Sequence, residues 1–274
     1  MLRPRDSHDL RLLTATIAID PAPESLRWKH DVFGNSVAVA SFARQAAVLR
    51  IESSLDLEHF ESEEPGCPIE TYANTYPFAY STEEVPDLHR SIERQYPDQE
   101  HEVDLWAKRF INSEGETNTL DALTAMTLAV KSEFRYAVRL AEGCQLPVQT
   151  LTRKSGSCRD FALLMMEAVR ALGLAARFVS GYVWTPSADN SDYTDAPRGA
   201  THAWVQVYLP GAGWIEFDPT NGLVGNRDLI RVAVVRDPRQ AVPISGKWIG
   251  APADFLGMEV DVKVTADDRL LLND

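Results

Sequence analysis

Three residues of this 274-residue chain have types and spacing suited to covalent chemistry: Cys158, His202 and Asp218. Cys158 follows Ser155-Gly156-Ser157 and opens an amphipathic pattern, so it stands at a helix start behind a capping serine and a glycine that permits close backbone approach. Unpaired amides and the positive dipole end of a helix favour a thiolate over a thiol, and the same amides can hold an oxyanion. Arg159 adds positive potential beside it. A thiol nucleophile also needs a base to take and return a proton, and an imidazole base needs a carboxylate or amide to fix its tautomer. His202 and Asp218 supply that pair of groups. Taken singly, each residue has a plainer reading: a lone cysteine is usually a small buried hydrophobe, a lone histidine a capped surface residue, and an aspartate before proline a turn former. Cys67 and Cys144 keep the plain reading; the coincidence of the other three points to acyl transfer through a thioester.

The elements that must position these residues follow from hydrophobic periodicity. After Ser157, apolar residues fall at Phe161, Leu164, Met165, Ala168, Val169 and Leu172, which predicts a helix ended by Gly173. A strand is predicted over 176–184, then a polar loop to Thr201, then a hairpin of His202–Leu209 and Trp214–Asp218. His202 and Asp218 are 16 residues apart. If Leu209 and Gly213 close the hairpin, Tyr208 faces Trp214 and Trp204 faces Asp218, which puts His202 diagonally across from Asp218 on one sheet face. An even-numbered loop without a bulge would separate them, because the strand period is two. Among the surrounding aromatic residues, most of which should be core, Tyr182 and Trp204 are the candidates to wall a substrate cleft.

Upstream, Arg11–Asp20, Leu26–Val32, Ser36–Phe42 and Ala46–Leu57 alternate in the β manner around a turn at Phe33-Gly34-Asn35, predicting a small antiparallel sheet. An acidic linker with two prolines is expected over 61–70, and helices over 85–95, 103–112 and 119–136. There are 27 Lys and Arg against 40 Asp and Glu, a net charge of −13, so a nucleic-acid partner is disfavoured. No apolar run is long enough to span a membrane, and MLRPRDSHDLR has no signal-peptide pattern, so a cytoplasmic location without membrane partner is expected. Three cysteines make no disulfide framework, and six scattered histidines make no metal-ligand spacing; neither metal nor cofactor is expected.

The segments Gly156–Ala162, Arg177–Tyr182, His202–Tyr208 and Gly213–Gly222 resemble, in order and spacing, the bacterial transglutaminase-like superfamily, whose members are often described as cysteine proteases. The resemblance is close over roughly 115–240. It implies a papain-like Cys-His-Asp triad at Cys158, His202 and Asp218. LRPRD and DVFGN also resemble the β-rich domain that precedes the catalytic core in that family, although a strand and a turn usually precede LRPRD there and this sequence opens within it. The interval of 44 residues between Cys158 and His202 fits the transglutaminase-like core better than papain.

The expected fold is α+β, a papain-like transglutaminase core of helices packed on an antiparallel sheet (77–274) preceded by a small β-rich domain (1–76). The expected function is cysteine-dependent hydrolysis of peptide or carboxamide bonds in a peptide or protein substrate. Protein-glutamine transamidation and a non-catalytic binding module on the same fold are the alternatives. No calcium-loop pattern is present.

Overall fold

The computed structural model describes residues 1–60, 67–139, 143–184, 201–226 and 228–266. The chain begins with four strands, β1 (Leu10–Asp20), β2 (Ser25–His30), β3 (Ser36–Ser41) and β4 (Arg50–His59). They form two separate antiparallel ribbons, β1 with β4 and β2 with β3, where a single small sheet was expected. Gly34 turns the second ribbon at φ +78°, a conformation that favours glycine. Of the expected linker, residues 61–66 lie outside the described residues. Beyond it Glu70 donates its amide to Pro210 O at 2.8 Å, and strand β5 (Thr75–Tyr76) pairs with β6 (Thr117–Asn118), so residues 70–76 are bound to the core.

Helices α1 (Val85–Ile92), α2 (Glu102–Lys108) and α3 (Thr119–Glu133) follow, each shorter than its sequence pattern. The third stops because tertiary pairing takes over: Arg135 donates to Lys154 O at 2.9 Å, and β7 (Arg135–Tyr136) runs parallel to β8 (Ser155–Gly156). Helix α4 (Pro147–Arg153), which its few apolar residues did not announce, lies between them, and α5 (Cys158–Ala171) begins directly after β8. Nearly every side chain of α5 is buried, as a helix apolar on most of its circumference must be. Its charged members are matched: Glu167 and Arg170, both fully buried, pair at 3.0 Å.

The sheet that α5 packs on contains β9 (Ala176–Val183), β10 (His202–Leu209), β11 (Gly213–Asp218), β12 (Leu223–Val224) and β13 (Leu229–Val235), in the antiparallel order β12-β11-β10-β9-β13. Ala203, Val205, Val207 and Leu209 of β10 face the helical core together with Ile215 and Phe217 of β11. Trp204 and Val179 face the other way. The expected polar loop before Thr201 falls on residues 185–200, outside the described residues. The ribbons are fastened to the free edge of the sheet, where Asn35 donates to Val234 O at 2.8 Å and accepts from Val234 N at 3.0 Å, covering β13 against edge pairing.

Candidate active site

Cys158 is the first residue of α5, and its surroundings are built by a single carboxylate. Asp160, fully buried, accepts from Ser157 N at 2.8 Å, Ser157 Oγ at 2.9 Å, Gln145 N at 2.6 Å and Arg139 Nη1 at 2.8 Å. The helix start is thereby tied to the segment before α4, with each carboxylate oxygen occupied. Gly156 is needed here, since a Cβ would lie 2.8 Å from Asp160 Cβ and 3.0 Å from Gln145 Nε2. Arg159 stacks over Phe178 at 4.9 Å and donates to Pro238 O at 2.7 Å, which fixes the position of its guanidinium. Cys158 is only 7% exposed. Cys67 is exposed, and burial pushes the Cys144 thiol up, with neighbouring Arg159 working against that shift.

The hairpin closes with Leu209 opposite Gly213 and Tyr208 opposite Trp214, the register that aligns His202 with Asp218. His202 Nε2 meets Asp218 Oδ2 at 2.7 Å, both groups buried. Asp218 is held in turn by Thr220 N at 2.9 Å and by the Asn221 side-chain amide at 2.7 Å. Asn221 Nδ2 also lies 3.3 Å from His202 Nε2; both are donors when the ring proton serves Asp218, so that approach is a contact and the amide's bond is to the carboxylate. Burial opposes the imidazolium of His202, but the Asp218 carboxylate and the adjacent Cys158 side chain outweigh it and push His202 up to about 10. Burial also raises Asp218, and the imidazole, Asn221 and Thr220 reverse that effect and hold its carboxyl below the usual range.

Trp204 does not wall a cleft. It is fully buried, its ring stacks beneath His202 at 5.9 Å and its Nε1 donates to Glu216 Oε2 at 3.1 Å, because even-numbered positions of β10 face a covered side of the sheet. Tyr182 is partly buried and donates its hydroxyl to Leu2 O at 3.1 Å, which makes it a fastening for the amino-terminal segment. Sequence reasoning missed Tyr136, which the β7–β8 pairing sets beside the helix start. Its ring meets Phe161 edge-on at 6.3 Å, and burial followed by the neighbouring Cys158 pushes its phenol up. It also missed Asn221, whose only signal was its place in Asp218-Pro-Thr-Asn-Gly222, and Asp160, legible as the third residue of a capped helix.

Residues 106–219 match the transglutaminase-like superfamily, and residues 1–58 match the bacterial transglutaminase-like N-terminal region. The chain belongs to the transglutaminase-like superfamily. An uncharacterized protein of Mycobacterium leprae is 35% identical over 107 residues, 39% of this chain and 37% of that protein. An uncharacterized protein of Mycobacterium tuberculosis H37Rv is 26% identical over 296 aligned positions, covering 98% of this chain and 87% of its own length. The protein-glutamine gamma-glutamyltransferase of Pseudomonas aeruginosa is 36% identical over 67 residues, 24% of this chain and 10% of that enzyme. Among solved structures, a Cytophaga hutchinsonii protein described as a "putative cysteine protease" superposes with a TM-score of 0.63 at 18% identity, over 88% of this chain and 76% of that one. This transglutaminase-like chain therefore has the papain-like α+β fold. Among its described residues, no helix is long and apolar enough to cross a membrane.

Proposed function

We propose that this protein hydrolyses peptide or carboxamide bonds, with Cys158 as nucleophile, His202 as general acid and base, and Asp218 as the group that orients the imidazole. The observation that carries the reading is the buried 2.7 Å bond between His202 Nε2 and Asp218 Oδ2, next to a helix whose first residue is a cysteine. With Nε2–H committed to Asp218, Nδ1 is the ring nitrogen left for Cys158. The raised affinity of His202 for its proton favours an imidazolium facing a thiolate.

In the first half-reaction the sulfur attacks the carbonyl carbon, His202 gives its Nδ1 proton to the leaving nitrogen, and the C–N bond breaks to leave a thioester. In the second, His202 takes a proton from water, the resulting hydroxide equivalent attacks the thioester carbon, and the S–C bond breaks to return the thiolate. The amide of Cys158, which as the first of the helix has no partner within it, supplies one donor to the oxyanion in both steps. The partner is a peptide or protein. A cytoplasmic setting belongs to the same proposal, and three unpaired cysteines fit a reducing compartment.

A primary amine replacing water would make the reaction a transamidation, and the partial similarity to a protein-glutamine gamma-glutamyltransferase favours that second reading. Mass spectrometry of a glutamine-rich peptide pool, incubated with and without a primary amine, separates them. Backbone cleavage or glutamine deamidation that disappears in Cys158→Ala is the expected result, and amine incorporation marks transamidation. A pool unchanged by the wild-type protein sinks both.

A further inference from the structure

A groove that the proposed mechanism does not use runs along the amino-terminal ribbon. Its first part, about 350 Å³, opens between residues 3–6 and β2 and is bordered by Arg3, Arg5, Lys29 and His30, with Trp28 and Asp6 beside them. Its second part, about 490 Å³, shares Lys29 and His30 and continues past Met1 and Phe33 to Gln240. A concentration of cations stands out in a chain of net charge −13.

The acids that line the groove, Asp6 and Asp31, are bonded to neighbouring backbone amides. Asp6 accepts from Leu12 N at 2.6 Å, and Asp31 accepts from Phe33 N at 2.9 Å, from Asn35 N at 2.8 Å and from Asn35 Nδ2 at 2.9 Å. The basic side chains have few such partners. Arg5 donates one nitrogen to Gly34 O at 2.7 Å, and Arg3 lies over the exposed Trp28 ring at 5.9 Å. Lys29 and His30 are exposed, with no side-chain hydrogen bond or ion pair among the described residues. Arg3, Arg5 and Lys29 outnumber the carboxylates of Asp6 and Asp31 along the lining, which favours an anion there, and the Trp28 face gives an apolar wall next to it.

The groove reaches residues that are bonded to the framework of the site. Gln240, at its far end, belongs to the short turn 238–240, and Arg159 donates to Pro238 O at 2.7 Å from the residue after Cys158. Leu2, next to Arg3, receives the Tyr182 hydroxyl, and Tyr182 follows Gly181, the cross-strand partner of His202.

We propose that this groove is an accessory subsite for acidic side chains of an extended peptide, so that acidic peptides are the preferred substrates. The position of the subsite relative to the reacting carbonyl rests on the acyl-transfer reading above; binding itself does not. A nucleic acid fits less well, because a long polyanion would outrun this short cationic stretch on a chain of net charge −13.

Fluorescence anisotropy of a labelled Asp/Glu-rich peptide with the full-length Cys158→Ala protein tests the proposal without turnover, against a matched Asn/Gln peptide. The acidic peptide should bind more tightly and should lose affinity as NaCl is added. Adding Arg3→Glu and Lys29→Glu should weaken it by about tenfold while leaving the neutral peptide unchanged. Both positions are exposed, and an unchanged melting temperature verifies folding. In the active enzyme the same pair of substitutions should lower kcat/KM for acidic peptides only. Equal binding of the two peptides, indifference to charge reversal, or displacement by an oligonucleotide at lower concentration than by the unlabelled peptide overturns the subsite. Preferential binding without any turnover keeps the subsite and removes the catalytic reading, whereas turnover without acidic preference does the reverse.

Discussion

An imidazole buried between a carboxylate and a sulfur side chain titrates unlike one in water, and this gives the residue scale its first prediction. His202 is raised to about 10 from an ordinary 6.5, so between those values the folded state binds more protons than the unfolded one. The stability His202 contributes is thus complete below about pH 6.5 and is lost as pH rises toward 10. Urea midpoints measured from pH 6 to 10 should fall across that range in the wild type, and the part due to His202 should vanish in His202→Gln. Asp218 works in the opposite direction: its lowered carboxyl gives stability above the usual carboxylate range that is lost on acidification. Asp218→Asn should leave the fold intact but cut kcat on the order of 10³-fold, by freeing the ring to adopt the wrong tautomer. Wild-type kcat in that variant would show that Asp218 has no orienting role.

The start of α5 depends on Asp160 and Gly156 as much as on Cys158. Asp160→Ala leaves Arg139 and the amides of Ser157 and Gln145 without their acceptor. It should cost about 3 kcal/mol in chemical denaturation. Gly156→Ala should be nearly as harmful, because a Cβ 2.8 Å from Asp160 Cβ forces helix and strand apart. If Gly156→Ala instead keeps wild-type stability and turnover, the close approach of β8 to α5 does not matter.

At the scale of the molecule, the ribbons and the sheet are joined by a buried ionic link. Arg231 bonds Glu216 Oε1 at 2.6 Å and Asp9 Oδ1 at 3.0 Å, and Glu216 is buried deeply enough that burial raises its carboxyl despite that partner. Arg231→Met strands both acids. Global stability should fall by about 3 kcal/mol, and hydrogen exchange should rise first in β1 and β4, the ribbon that loses Asp9 as an anchor. Uniform exchange across the ribbons and the sheet would mean that other contacts carry the joint.

The helix that starts at Cys158 was legible from apolar spacing, and the strand period of two told which loop parity would align His202 with Asp218, but the parity itself came from the observed register. The sequence by itself also determined the family, since four motifs in register survive without any contact information. What it could not determine was which aromatic residues were covered: Trp204 and Tyr182 have the composition of cleft walls, but burial depends on what packs against the sheet from distant parts of the chain. The end of α3 was undetermined for the same reason, because a parallel pairing with β8 outweighed helical propensity at Arg135 and Tyr136. Tertiary structure alone placed Tyr136 beside Cys158, gave Asn221 its carboxylate and gathered Arg3 and Lys29 into one groove, since electrostatic environment is set by neighbours in space rather than in sequence.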